Sequence, residues 1–411
     1  MTGGDAGMTV RMGEPSHVIP TLPMPHYRQW SAAFASYFTI LGLWTAFGPS
    51  ALMASDPGAA PAALAAMTLA YFVATPFVGA LWKRLGFSST LVLMGAGVAL
   101  SLCTAALRPQ WLAWCVPAAF FFGSGSYTLC ETKMLEDLAR VGQGHAFGRA
   151  RKWGSFGFLA AASLGGAVFS LDGQGFTVSL ALCALAYFAC CVALALACRS
   201  GAAQAHAQSE PAAQLPADSA QPQARPRRPW AGAAAVTGMR LAEAVSTTWF
   251  GAYWLHTGHS PLQTGLLCAL PVAAEFGAMW KGGKFLQRYS APAVMLMCCI
   301  ASALRWFATP WCEQLWCALP LQSLHAFTFG FFYPASLIWL KQAFATDFFQ
   351  ARYATESVAR ALTAAVSYLA AGWVIASYGY GAVFGVSCAL AVLCCLWWVK
   401  VLHSPDIAAS Y

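Results

Sequence analysis

Residues Ser88 to Leu107 read SSTLVLMGAGVALSLCTAAL, twenty positions without an acid or a base. A helix rises about 1.5 Å per residue, so this run alone covers the roughly 30 Å hydrocarbon core of a bilayer. Apolar runs of similar length recur almost end to end. Only 9% of the 411 residues are charged, where a soluble chain carries about 25%. Backbone groups cannot stay unpaired in lipid, which leaves helices or a closed barrel as spanning structures. The runs are too long and too continuous for barrel strands, which alternate over about ten residues. The expected fold is an all-α membrane protein.

Twelve spans are predicted, over 30–53, 62–82, 88–107, 111–138, 148–170, 176–198, 231–256, 261–281, 291–309, 312–342, 353–377 and 380–402. Residues 200–230, rich in Ala, Gln, Pro and Ser, cannot bury enough surface to fold and read as a flexible linker. This divides the chain into a tail at 1–29, a six-helix bundle at 30–199, the linker, a second six-helix bundle at 231–403 and a tail at 404–411. The halves echo each other. Gly79-Ala80-Leu81-Trp82-Lys83 matches Gly277-Ala278-Met279-Trp280-Lys281, and Ala119-Phe120-Phe121-Phe122-Gly123 matches Ala326-Phe327-Thr328-Phe329-Gly330. Two pseudo-symmetric repeats with a site between them near the midplane fit that pattern.

The formal charge of +8 does not gather on one face. Lys and Arg crowd alternate connections, from Lys83 and Arg84 to Arg225, Arg227 and Arg228, and on to Lys341 and Lys400. That asymmetry places both termini and the linker in the cytoplasm. It also argues against a nucleic-acid partner. Residues 1–28 show no cleavage-like site and read as a cytoplasmic tail. The 15 cysteines lie mostly in apolar runs without metal-ligand spacing, so no metal or other cofactor is expected. Cys312 and Cys317 flank an outer loop and are close enough in sequence to pair. No G-x-x-x-x-G-K-[ST] loop is present, which removes ATP as the energy source.

Five ionisable residues fall inside predicted spans: Glu131, Arg151, Glu275, Arg305 and His325. Each costs roughly 2.5–3.5 kcal/mol at a helix centre for an acid or a base on the insertion scale. A chain that retains them needs them to bind or move something polar. Arg151 offers a planar fork for a carboxylate or a pair of hydroxyls, with Glu131 either holding that fork or locking two helices as an ion pair. Glu275 is the expected proton carrier, with Arg305 beside it and His325 in a relay. Arg240 and Glu243, three apart on one helix face, are expected to neutralise each other, with Arg360 as a partner from another helix. Among 17 Trp, 27 Phe and 13 Tyr, Trp44, Tyr127, Trp249, Tyr253 and Trp306 lie deep enough to stack on a substrate or simply to pack helices.

Twelve spans split six plus six by a cytoplasmic loop resemble the major facilitator superfamily. Gly79 to Gly86 is similar to its G-x-x-x-D-R-x-G signature, with Lys83 where the pattern has Asp. Phe147-Gly148-Arg149-Ala150-Arg151, followed by Trp153-Gly154-Ser155, resembles the fifth helix of lactose-permease-like proton symporters. The resemblance passes the substrate-contacting role to Arg151 and its pairing role to Glu131. Glu275, Arg305 and His325 match the same group's buried polar set. Ala252-Tyr253-Trp254, Gly258-x-Ser260, Val272-Ala273-Ala274-Glu275, Arg305-Trp306 and Leu324-His325-x-x-Thr328 look like the phenylpropionate-permease branch. Thr328 stands where the sugar-type permeases carry a Glu.

The resemblance implies a monomeric, proton-coupled symporter in a bacterial inner membrane, not an enzyme, importing an aromatic acid such as phenylpropionate by alternating access. A symporter for a sugar, nucleoside or cell-wall fragment is the first alternative. A membrane sensor or scaffold that binds without transporting is the alternative of another class.

Overall fold

The computed structural model describes residues 26–140, 147–169, 175–205, 229–344 and 348–403, and among these there is no strand. The first half comprises α1 (Tyr27–Ser55), α2 (Ala60–Leu107), α3 (Leu112–Arg140), α4 (Phe147–Phe169) and α5 (Gly175–Ala205). The second comprises α6 (Pro229–His256), α7 (Pro261–Arg288), α8 (Ala291–Ala308), α9 (Leu315–Ser323), α10 (Phe332–Phe344), α11 (Phe348–Leu362), α12 (Ala371–Tyr378) and α13 (Tyr380–Leu402). Most of the predicted linker and both tails lie outside the described residues; α5 runs on to Ala205, past the predicted boundary at 199. Among the described residues, five helical stretches are long and apolar enough to cross a membrane: Tyr27–Ser55, Val73–Leu107, Gly175–Ser200, Ala291–Trp311 and Tyr380–Leu402.

Helix boundaries follow from local chemistry. Ser260 caps α7 in a reciprocal box, its hydroxyl accepting from the Gln263 amide while the Gln263 side chain accepts from Ser260 N–H, and Pro261 takes the first helical position where no N–H is needed. The two predicted spans within 62–107 are not separated by a loop. Helix continues through them with one break at Gly86, whose φ of 75° is the left-handed region open to glycine. The Gly79–Gly86 motif therefore makes a hinge between two rods.

Two segments of the second half widen into π-helix, Ala326–Phe331 before α10 and Thr363–Ala370 before α12. The first coincides with the repeat that matches Ala119–Gly123, yet in α3 the same pattern is ordinary α-helix. The second leaves Ser367 O to accept from the Trp249 indole at 2.6 Å.

The halves meet where α4 packs on α7, α1 on α6, and α2 on α11 and the π segment after it. At the end carrying the C-termini of α1, α4 and α6, the approach is backbone to backbone. A Cβ on Gly251 would collide with the Ala46 carbonyl, one on Gly265 with that of Ala162, and one on Gly166 with that of Pro261. The same end holds a Cys312–Cys317 disulfide, and Tyr253 ties it to α6 by donating to Thr309 O at 3.3 Å.

Candidate functional site

In the first half, α1 presents Tyr37 and Phe38, α3 presents Tyr127 and Glu131 one turn apart, and α4 presents Arg151. The Arg151 guanidinium lies 4.1 Å from the centroid of the Phe38 ring, a cation–π distance. Its Nε donates to the Tyr127 hydroxyl at 3.2 Å and stands 3.9 Å from Glu131 Oε1. Tyr127 in turn donates to Glu131 Oε1. The Tyr127 ring is stacked on Tyr37, centroids 5.2 Å apart and planes 16° from parallel. Arg151 and Glu131 keep 29% and 32% of their side chains accessible, so the guanidinium is positioned but still has donors to offer.

In the second half, a tighter network forms around Glu243 on α6. Its Oε1 accepts from Ser302 at 2.6 Å and from the Trp306 indole at 2.9 Å. Its Oε2 accepts from Arg305 Nη1 and from Thr328, both at 3.0 Å. A carboxylate has about four lone-pair sites, and here all are taken, leaving no room for a proton of its own. Arg305, only 1% exposed, also donates Nε to Gln322 at 2.8 Å, and its guanidinium lies 4.2 Å from the centroid of the Trp306 ring. Arg305 Nη1 further meets His325 Nδ1 at 3.0 Å. Arginine has only donors, so Nδ1 is the acceptor and the ring proton of a neutral His325 sits on Nε2. That atom faces Glu275 on α7, 3.9 Å from Oε2.

Glu275 differs from Glu243 in having no hydrogen-bond partner among the described residues. Its helix, α7, packs on α4, which carries Arg151, and the Gly166–Pro261 and Gly265–Ala162 approaches show the two helices running antiparallel. The two clusters therefore face one another across the interface between halves.

Several sequence expectations are redirected. Glu243 is not organised by Arg240: the donors on its carboxylate come from α8 and the π segment before α10, while Arg240 lies over the Tyr333 ring at 5.6 Å. The Arg360 side chain lies outside the described residues. Trp44 lines an apolar pocket together with Tyr37, Ile40, Phe120 and Leu180. Trp249 is buried with its indole spent on Ser367 O. Tyr253 is buried against Trp254 and Phe384. Trp249 and Tyr253 tie helices together, whereas Trp44 shares its pocket with Tyr37. Tyr127 does, beside Tyr37 and Phe38, whose spacing from Phe34 marks one face of α1 but gives no partner. Gln322 and Ser302 also join the network without a signal beyond being polar inside apolar runs.

Two helical halves with buried charge turned toward their common interface define a membrane transporter of the major facilitator type. The family described as MFS_1 like matches residues 61–388, and the chain belongs to it, which makes it a secondary transporter and not an enzyme. Among solved structures, the nucleoside transporter NupG is similar at TM-score 0.70 and 16% identity, covering 92% of this chain and 99% of that one. The D-xylose-proton symporter gives 0.63 and 13%, covering 91% and 97%. The POT family transporter PepTSo gives 0.67 and 10%, covering 94% and 100%. No curated protein matches the chain significantly.

Proposed function

We propose that this transporter is a proton-coupled importer of a small aromatic carboxylate such as phenylpropionate. The chain would cross a bacterial inner membrane twelve times as a monomer with cytoplasmic termini. The observation that carries the reading is Glu275, a carboxylate with no hydrogen bond among the described residues, 3.9 Å from His325 Nε2 and on a helix packed against the one that carries Arg151. A group so placed takes up or releases a proton as its neighbours shift. Glu243, whose acceptors are saturated, fixes Arg305 and through it the His325 tautomer.

Arg151 supplies the substrate contact. A carboxylate entering the interface displaces Tyr127 and Glu131 from the guanidinium and gains bidentate geometry. The substrate ring then finds Phe38 and Tyr127, whose rings already lie against Arg151, with Tyr37 stacked on Tyr127. With Glu275 protonated, substrate and Arg151 neutralise each other and the halves close without burying an unpaired charge. Loss of the proton restores Glu275 as a competitor for Arg151 and drives release. The interlocked glycine end, which also bears the disulfide, is read as the outer end in its closed state, with the opposite end open to the cytoplasm.

Proteoliposomes with an imposed pH gradient test this directly. Labelled phenylpropionate should accumulate, an uncoupler should abolish accumulation, and aromatic acids should compete while sugars and nucleosides do not. Competition by sugars or nucleosides instead moves the substrate to that class. Binding without flux makes the protein a sensor or scaffold.

A further inference from the structure

The polar site does not end at His325. Residues at four-residue spacing continue it toward the end opposite the disulfide as a column of rings: His325, Phe329 and Tyr333. The His325 and Phe329 rings are 5.9 Å apart with planes at 19°, and Phe329 and Tyr333 are 5.8 Å apart at 3°. An α-helix would carry residues eight apart about 80° round its axis. The π segment Ala326–Phe331 holds more residues per turn and takes out part of that drift, so the rings stay in line.

The column ends among cations. Arg352 on α11 donates Nη2 to the Tyr333 hydroxyl at 3.2 Å, and the Arg240 guanidinium lies 5.6 Å from the centroid of the Tyr333 ring. The helix that carries Arg352, α11, packs on α2 of the other half, so this surface borders the seam between the halves. Phe329 is 41% exposed, a large apolar ring stacked on Tyr333, on which Arg352 has placed one of its five donors.

We propose that Phe329, Tyr333 and Arg352 form a second substrate subsite at the mouth of the passage. It takes an aromatic carboxylate, with the ring against Phe329 and the carboxylate on Arg352. The inner site at Arg151 and the mouth at Arg352 share one requirement, a planar cation beside π faces. The ligand passes between two places of the same chemistry, with the column of rings along the way. This rests on the aromatic-acid reading of the transporter.

The test uses reconstituted full-length protein with labelled phenylpropionate and its saturated analogue cyclohexylpropionate, measured from each membrane face. Arg352→Gln should raise the half-saturation concentration about tenfold from the mouth side, the low end for a hydrogen bond to a charged group. From the disulfide side it should stay within about twofold, which also shows that the variant folds. Arg352→Lys should recover part of the loss. Phe329→Leu should erase the preference for the aromatic over the saturated acid from the mouth side alone. Equal changes from both faces, or none from either, overturn the subsite while leaving the transport reading intact. A wild-type protein that carries neither acid overturns both.

Discussion

Arg305 on α8 donates to Glu243 on α6 at 3.0 Å, and the arginine is 1% exposed. The pair joins two helices of one half and orders everything around it, including Trp306, Gln322 and His325. Removing one partner of such a buried pair costs about 3–5 kcal/mol, because the survivor keeps its charge without compensation, whereas replacing both with apolar groups is often neutral. Glu243→Leu is therefore expected to lower the unfolding temperature of the purified protein sharply. Glu243→Leu combined with Arg305→Leu should restore most of that stability and still fail to transport. Equal thermal stability of the single variant and the wild type would remove Glu243 from the centre of the network.

Glu275→Gln separates proton coupling from substrate movement. The amide keeps the shape beside His325 but cannot exchange a proton. Counterflow of phenylpropionate across proteoliposome membranes should persist, while accumulation driven by a pH gradient disappears. A variant that still accumulates substrate against the gradient assigns the proton to another group.

The glycine interlock between halves predicts a conformational shift. Gly251→Leu places a side chain where the Ala46 carbonyl stands. The overpacking cost, about 1–3 kcal/mol, falls on the interlocked arrangement only. A shift of about 1.4 kcal/mol changes populations tenfold, so Cys268, one turn beyond Gly265 and buried, should react about ten times faster with an impermeant maleimide. Unchanged labelling of the Cys268 peptide by mass spectrometry sinks the idea that this seam is a closed gate.

On the proposed orientation, the end with the Cys312–Cys317 disulfide faces the oxidising compartment. Disulfides persist in oxidising compartments and are reduced in the cytosol. In intact cells both thiols should resist an impermeant alkylating reagent until a reductant is added from outside, and then react. Free thiols before reduction, or protection after it, would reverse the assigned orientation.

Much of the architecture was legible because lipid imposes it. The length of Ser88–Leu107 follows from what a bilayer allows, and the charges inside apolar runs announced a polar interior. The first-half cluster was also legible, since Glu131 and Arg151 stand out by type and Tyr127 lies one turn from Glu131. Glu243 was misread because Arg240 is its obvious neighbour along the helix, whereas its donors come from α8 and the segment before α10. Tertiary packing selects between such options and leaves no periodic mark. Trp249 and Tyr253 show the same limit: depth along a span can be counted, but which neighbour a face meets cannot. The π segment was hidden altogether, since Ala326–Gly330 and Ala119–Gly123 are nearly the same pattern in different helices.

The meeting of Gly166, Gly251 and Gly265 with facing carbonyls has a mechanical corollary. A latch built from main chain alone has no charge to strip of water and no long side chain to immobilise each time it shuts. It can part and re-form at small energetic cost, so little in the latch itself decides when it stays shut. That decision falls to whatever occupies the middle of the protein, and an empty carrier and a loaded one can share the same outer seal.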